Sequence, residues 1–365
     1  MHLSLHRAML TYGGGLTLHT ASSGPVSGLD TLYLRLRDGD GIEAVGEVRI
    51  NIAYLNGLSP DAVLAETQAV LAGLDLSPDP LSLLAEPPPA LAEATSPVRM
   101  LVDMALHDRA ARQRGLPLAG LLGLAPGEAV AYPTNQTLFV SDDRTFLAQA
   151  EAYVSRGFTD LKVRIGAGEL ADDLRRIALL RQRFASDIKI AADANGAWNV
   201  DAALRHLERL APFDLAYVEQ PAAPAPLAEL ARLAEASPVP IMLDESIGSE
   251  AAAMALATAG HRLMAHLKLV KLGGIAATMR AARALEAQGV PIMIGQMNEG
   301  GLATAAVLHA SAALKPRFAE LYGADGILAD PAEGLSYARG MVAAPARPGL
   351  GLAFRAERTR TLWEN

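Results

Sequence analysis

Ile188-Lys-Ile-Ala-Ala-Asp193, Leu215-Ala-Tyr-Val-Glu219, Pro240-Ile-Met-Leu-Asp244 and Ala265-His-Leu-Lys268 share one design. Each is a short apolar run closed by a charged residue, and the closing residues recur about every 25 positions. That interval is one strand plus one returning helix. The intervening stretches are rich in Ala, Leu and Arg with helical periodicity, so the repeat predicts a parallel sheet. Extending the pattern outward places strands near 131–137, 159–165, 188–192, 215–218, 240–243, 265–270, 291–294 and 318–321. Eight strands, seven of them followed by a helical pattern, predict an α/β fold of the (β/α)7β TIM-barrel type.

The first third of the chain is written differently. Thr31-Leu-Tyr-Leu-Arg-Leu-Arg37 alternates strictly, Asp38-Gly39-Asp40-Gly41 is a turn, and 42–50 returns as a second strand, which predicts a hairpin. Helices are predicted over 60–72 and from about 98 to 114, the second opened by Ser96-Pro97 and stopped by Gly115 and Pro117. The expected organisation is an α+β domain over 1–125, the barrel over 126–321, and a Gly/Pro-rich segment over 322–365 that packs back on the N-terminal region.

Composition narrows the function. The net charge of −8 and the lack of a basic run with interleaved aromatics argue against nucleic-acid binding. No long uninterrupted apolar run predicts a membrane span, and the alternating start lacks the apolar stretch of a signal peptide, so a cytoplasmic protein is expected. The absence of cysteine excludes disulfides, thiolate metal sites and a Cys nucleophile.

Residues at equivalent C-terminal strand ends converge on one mouth of such a barrel. Asp193, Glu219 and Asp244 would repel one another there unless a cation sat between them. Oxygen-only ligands select a hard ion, so Mg²⁺ is expected on these three carboxylates. In Lys162-Val163-Arg164 the period of two puts Lys162 and Arg164 on the barrel interior, across from Lys268. A metal-chelated carboxylate has an acidified α-proton, and a lysine near the metal is a candidate base. The structural alternative for Lys162 and Arg164 is ion pairing with the carboxylates. His266, two residues before Lys268, shares its face.

These motifs resemble the enolase superfamily, and within it the muconate-lactonizing subgroup. The resemblance rests on Gly46-Glu47, on Asp103-Met-Ala-Leu-His107-Asp108 followed by Gly115-Leu-Pro117-Leu and Leu121-Leu122-Gly123, and on four barrel motifs. The barrel motifs are Asp193-Ala-Asn195-Gly-Ala-Trp198, Glu219-Gln220-Pro221, Asp244-Glu245-Ser246 and Lys268-Leu-Val-Lys271-Leu-Gly273-Gly274. The resemblance implies that the N-terminal domain caps a modified barrel, that Asp193, Glu219 and Asp244 hold Mg²⁺ with Asn195 and Glu245 behind them, and that Lys268 is the acid/base. It also implies a small carboxylate substrate and a homo-oligomer. Glu299 matches a glutamate that many members carry at the seventh strand.

One departure stands out: the family's Lys-x-Lys on the second strand reads Lys162-Val163-Arg164. Arginine keeps its proton at neutral pH, so only Lys268 is a ready proton carrier. This predicts a reaction with one main base, a β-elimination (dehydratase, a lyase) or a cycloisomerisation, ahead of a two-base racemase or epimerase of an amino-acid derivative or dipeptide. A Schiff-base aldolase using Lys268 and a non-catalytic binding descendant are the readings from other classes. For substrate contacts the sequence offers Tyr12 in a glycine-rich loop over 10–25, a candidate lid, and Tyr322 and Asp325 beyond the eighth strand, where Asp325-Gly326 also reads as a plain turn.

Overall fold

A computed structural model describes residues 1–13, 18–20, 24–259 and 262–365. Gly14, Gly15, Ser22 and Ser23 of the expected lid, and His261, lie outside the described residues.

Three long strands open the chain: β1 (His2–Tyr12), β2 (Leu29–Arg37) and β3 (Glu43–Arg49), an antiparallel sheet with β2 in the middle. The hairpin expected from the alternation is β2–β3. Helix α1 (Ser96–Gln113) lies on this sheet and buries most of its length. Gly46 permits the approach: a Cβ there would lie 2.0 Å from the Leu101 carbonyl oxygen. The chain's last strand, Arg360–Glu364, returns to pair with β1.

The barrel follows as eight parallel strands, each hydrogen-bonded to its predecessor: β4 (Gln136–Leu138), β5 (Asp160–Arg164), β6 (Lys189–Asp193), β7 (Val218–Glu219), β8 (Ile241–Leu243), β9 (Leu263–Lys268), β10 (Ile292–Gly295) and β11 (Phe318–Glu320). The first and last strands form no ladder, but Asn135 N donates to the Ala319 carbonyl at 3.2 Å across the gap. Two expectations need correction. The strand expected over 131–137 is two pieces: Ala131–Pro133 pairs antiparallel with Met341–Ala343 outside the barrel, and only Gln136–Leu138 joins it. Pro133 has no N–H to extend a ladder, and the Thr134 hydroxyl turns to accept the Leu321 N–H. The strand expected to reach Val270 stops at Lys268, where a one-turn helix (Leu269–Leu272) begins, closed by Gly273 at φ 96°.

The cap is fastened to the barrel by carboxylates at helix N-termini. Glu47, fully buried, accepts the backbone N–H groups of Gly300, Leu302 and Ala303 at 2.7–3.1 Å, capping α3 (Gly301–Leu314). Asp103 accepts those of Ile275 and Ala276 at 2.5 and 3.3 Å, capping α2 (Ile275–Ala287). Each satisfies N–H groups that the helix cannot. The two helices follow β9 and β10, so the cap is held over the sector of the mouth that carries Lys268.

Buried in α3, His309 accepts the Ala119 N–H at 2.9 Å through Nδ1. Burial keeps this imidazole neutral, its pKa pushed down to about 4 from the ordinary 6.5. The unfolded chain gains a proton near pH 6.5 and the folded one does not. The stability linked to His309 is therefore complete above pH 6.5 and declines as pH falls toward 4. Between pH 7.5 and pH 5 the loss should be about 2 kcal/mol. Urea unfolding of His309→Gln should lack that part of the acid dependence; an identical pH dependence in the variant would refute the assignment.

Candidate active site

Strand register gathers the charged strand ends. Arg164 pairs with Asp193, Asp193 with Glu219, and Lys268 with Gly295, so all face the C-terminal mouth at one level. Asp244 follows β8 directly. The period of two brings Lys162 and Arg164 inward from β5, and His266 and Lys268 inward from β9. Four carboxylates meet here, all almost completely buried: Asp193, Glu219, Asp244 and, from β11, Glu320.

Four cations answer them. Lys162 reaches Glu219 at 2.9 Å, Asp193 at 3.6 Å and also Glu320. Arg164 pairs with Asp193 and donates to the Asn195 amide oxygen at 2.9 Å. Lys268 and Lys271 hold opposite oxygens of Asp244 at 2.7 and 2.5 Å. Asn195 adopts a left-handed conformation (φ 46°), accepts from Arg164 and donates to Glu245 at 3.2 Å, which links three motifs across the mouth.

Burial and pairing pull the ionisation of these groups in opposite directions. Burial raises the Asp244 carboxyl, but Lys268 and Lys271 outweigh it and hold the group well below the usual range. Burial likewise raises Glu219, and Lys162 with His266 reverses the shift. Asp193 stays raised, to about 6: burial outweighs Arg164, and Glu219 repels. On the cationic side burial depresses Lys268, yet Asp244 and Glu320 keep it above its ordinary value, so it is an ammonium. Burial also depresses Arg164, and Asp193 beside it holds the guanidinium charged.

These groups suit a hard divalent cation. Ligand atoms of Glu219, Asp244 and His266 lie within 4.8 Å of one another, the spread of one coordination sphere. Asp193 stands beside this cluster, drawn aside by Arg164. Above it a small cavity is lined by Val26, Arg49 and Tyr54 from the cap and by Arg164, Lys268, Gln296, Met297, Asn298, Glu320 and Tyr322 from the barrel. Two larger grooves run along the seam between cap and barrel; one lies away from the converging charges, and the other is lined by Tyr54, Glu245 and Lys271 and so borders them.

The remaining expected contacts divide. Tyr322 lines the cavity. Tyr12 does not: its hydroxyl donates to the Gly323 carbonyl and accepts from Asn298 at 2.8 Å, bracing the loop after β10. Asp325 is turned away as well, because Arg156 and Gln136 take its carboxylate at 2.9 and 3.1 Å. Glu299 is buried beside the cavity, where burial raises its carboxyl to about 7 against the pull of Arg49 and Lys268.

Glu320 was not anticipated, although its signal was present: a carboxylate in the apolar run 318–321, spaced like the other three. Arg49, Tyr54 and Gln296 carried no such signal. Arg49 looks like a surface cation at the end of a cap strand, and only docking of the cap brings it over the mouth.

Comparison with known proteins agrees with this geometry. The family described as Enolase C-terminal domain-like matches residues 145–358. Muconate cycloisomerase 1 of Pseudomonas putida is 30% identical over 354 residues, covering 94% of this chain and 92% of that protein. L-Ala-D/L-Glu epimerase of Bacillus subtilis is 32% identical over 255 residues, 69% of each chain. The crystal structure of muconate lactonizing enzyme from Pseudomonas fluorescens complexed with muconolactone superposes with a TM-score of 0.88 at 29% identity, covering 98% of this chain and 96% of that one.

Arg164→Met would leave Asp193 buried next to Glu219 with Lys162 as its remaining cation. Removing one partner of such a pair should destabilise the metal-free protein by about 3 kcal/mol, and Mg²⁺ should restore part of the loss. Equilibrium unfolding with and without Mg²⁺ measures both; an unchanged midpoint in the metal-free variant would contradict the pairing.

Proposed function

The chain belongs to the enolase superfamily, in its mandelate racemase and muconate lactonizing branch, and we propose that it is an enzyme that removes the proton α to a substrate carboxylate by means of one main base. The observation that carries this is the charge balance of the mouth. Four buried carboxylates are matched by four cations, so a divalent cation leaves two positive charges uncompensated. A carboxylate that has lost its α-proton is an enediolate with two negative charges, so the site complements the intermediate better than the substrate.

Asp193, Glu219 and Asp244 are the residues we assign to Mg²⁺. When bound, the ion supplies Lewis-acid stabilisation of the enediolate. Asp244, were it to hold the ion, would hold the Lys268 proton less tightly, and the Lys268 amine is the group placed to act as base. Lys162 and Arg164 approach from the opposite wall and neutralise the substrate carboxylate, and Asn195 and Glu245 keep the guanidinium in place. Arg49, Tyr54 and Gln296 face the far end of the cavity and would contact the rest of the substrate.

Arg164 supports a one-base course, cycloisomerisation or β-elimination, because it holds its proton on the face where a racemase needs a second base. The epimerase reading is kept as a second course, since several relatives are named as amino-acid or dipeptide epimerases and Lys162 stands on that same wall. A Schiff-base aldolase would leave the carboxylates without a task.

Muconates, acid sugars, hydroxyprolines, N-acyl amino acids and dipeptides, incubated with the Mg²⁺-loaded enzyme in D₂O, test the half-reaction by NMR. A substrate should exchange its α-proton. Lys268→Ala should lose about 10²–10⁴-fold in exchange rate, while Arg164→Lys should retain exchange. Exchange at the wild-type rate in Lys268→Ala would overturn the assignment of the base, and deuterium incorporation with inversion in the wild type would favour epimerisation.

A further inference from the structure

Beneath the carboxylates lies a group that the proposed chemistry leaves unused. His266 is completely buried, two residues before Lys268 on β9, and faces the same interior one layer deeper. Its Nδ1 lies 2.8 Å from Glu219 Oε1 and 3.8 Å from Asp244 Oδ1. The other oxygen of Glu219 accepts from Lys162 at 2.9 Å. A carboxylate can only accept, so Nδ1 carries the hydrogen and the tautomer is set. Among the described residues Nε2 has no hydrogen-bond partner, and it points at β10.

The neighbouring strand makes room for this ring. A Cβ on Gly295 would lie 2.1 Å from His266 Nε2, so any other residue there would push the imidazole out of place. A small residue on one strand thus matches a large polar one on the next. Filling the same space with an apolar side chain would leave Glu219 Oε1 buried without its imidazole donor.

We infer that His266, seated against Gly295, is a positioning residue that orients Glu219 from below so that the carboxylate presents its ligating oxygen to the metal. This rests on the metal assignment above. Ligand-orienting hydrogen bonds of this kind are worth about 10–100-fold in metal affinity.

Mn²⁺ serves as the probe, its free concentration read by electron paramagnetic resonance during titration of the full chain. Wild type should bind. His266→Phe, which keeps the volume and loses the donor, should bind about 10–100-fold more weakly. His266→Asn, whose amide nitrogen occupies the place of Nδ1, should recover most of the loss. Gly295→Ala should weaken binding although the histidine is intact, with circular dichroism confirming that each variant is folded. Wild-type affinity in His266→Phe would overturn the inference and leave the metal assignment standing. So would strong ¹⁴N coupling in pulsed spectra of the wild-type Mn²⁺ complex, which would make the ring a ligand. A wild type that binds no Mn²⁺ would overturn both.

Discussion

Asp193, Glu219, Asp244 and Glu320 are buried together at one mouth of the barrel, and much of the structure answers the cost of that burial. An unpaired carboxylate in such a place costs several kcal/mol, so each is met by an ammonium or guanidinium, from the neighbouring strand for Asp193 and Asp244 and from Lys162 for Glu219 and Glu320. The cations cannot relax away, because Lys162, Arg164, Lys268 and Lys271 are anchored on strands or on the tight turn closed by Gly273. Repulsion and attraction are both held ready, and this poised balance is what a divalent cation and a doubly charged intermediate can exploit.

The same constraint explains why a barrel alone is not enough. A mouth open to water would screen these charges and blunt their effect on the substrate. The cap covers it, and its attachment is specific: Glu47 and Asp103 cross from the cap to the N-termini of the two helices that follow β9 and β10. Gly46 brings sheet and helix of the cap close enough for Glu47 to be aimed. Residues that look remote from the chemistry therefore set the height and angle at which Arg49 and Tyr54 stand over the cavity.

The two walls of the mouth are unequal. On one side Lys268 shares its proton with a carboxylate whose charge a metal can claim; on the other Arg164 is tied to Asp193 and Asn195 and keeps its charge. Arg164 pairs with Asp193 beside the cluster of Glu219, Asp244 and His266. The guanidinium on β5 thus acts on Asp193 and the imidazole on β9 on Glu219.

Much of this was legible in the linear chain because a barrel repeats. A charge closing each short apolar run, at the interval of one strand and one helix, puts Asp193, Glu219, Asp244 and Lys268 on one rim, and the alternation in β5 turns Lys162 and Arg164 inward. The same rule extends to Glu320, which closes its own strand. What tertiary structure alone decided concerns contacts between segments far apart in sequence. Periodicity reports which side of its own strand a residue faces and says nothing about what another element brings to meet it. Tyr12 and Asp325 were therefore placed at the site although their partners, Asn298 and Arg156, hold them elsewhere. Arg49 looked remote although the docked cap delivers it, and the match of His266 to the missing side chain of Gly295 exists only where two strands lie side by side.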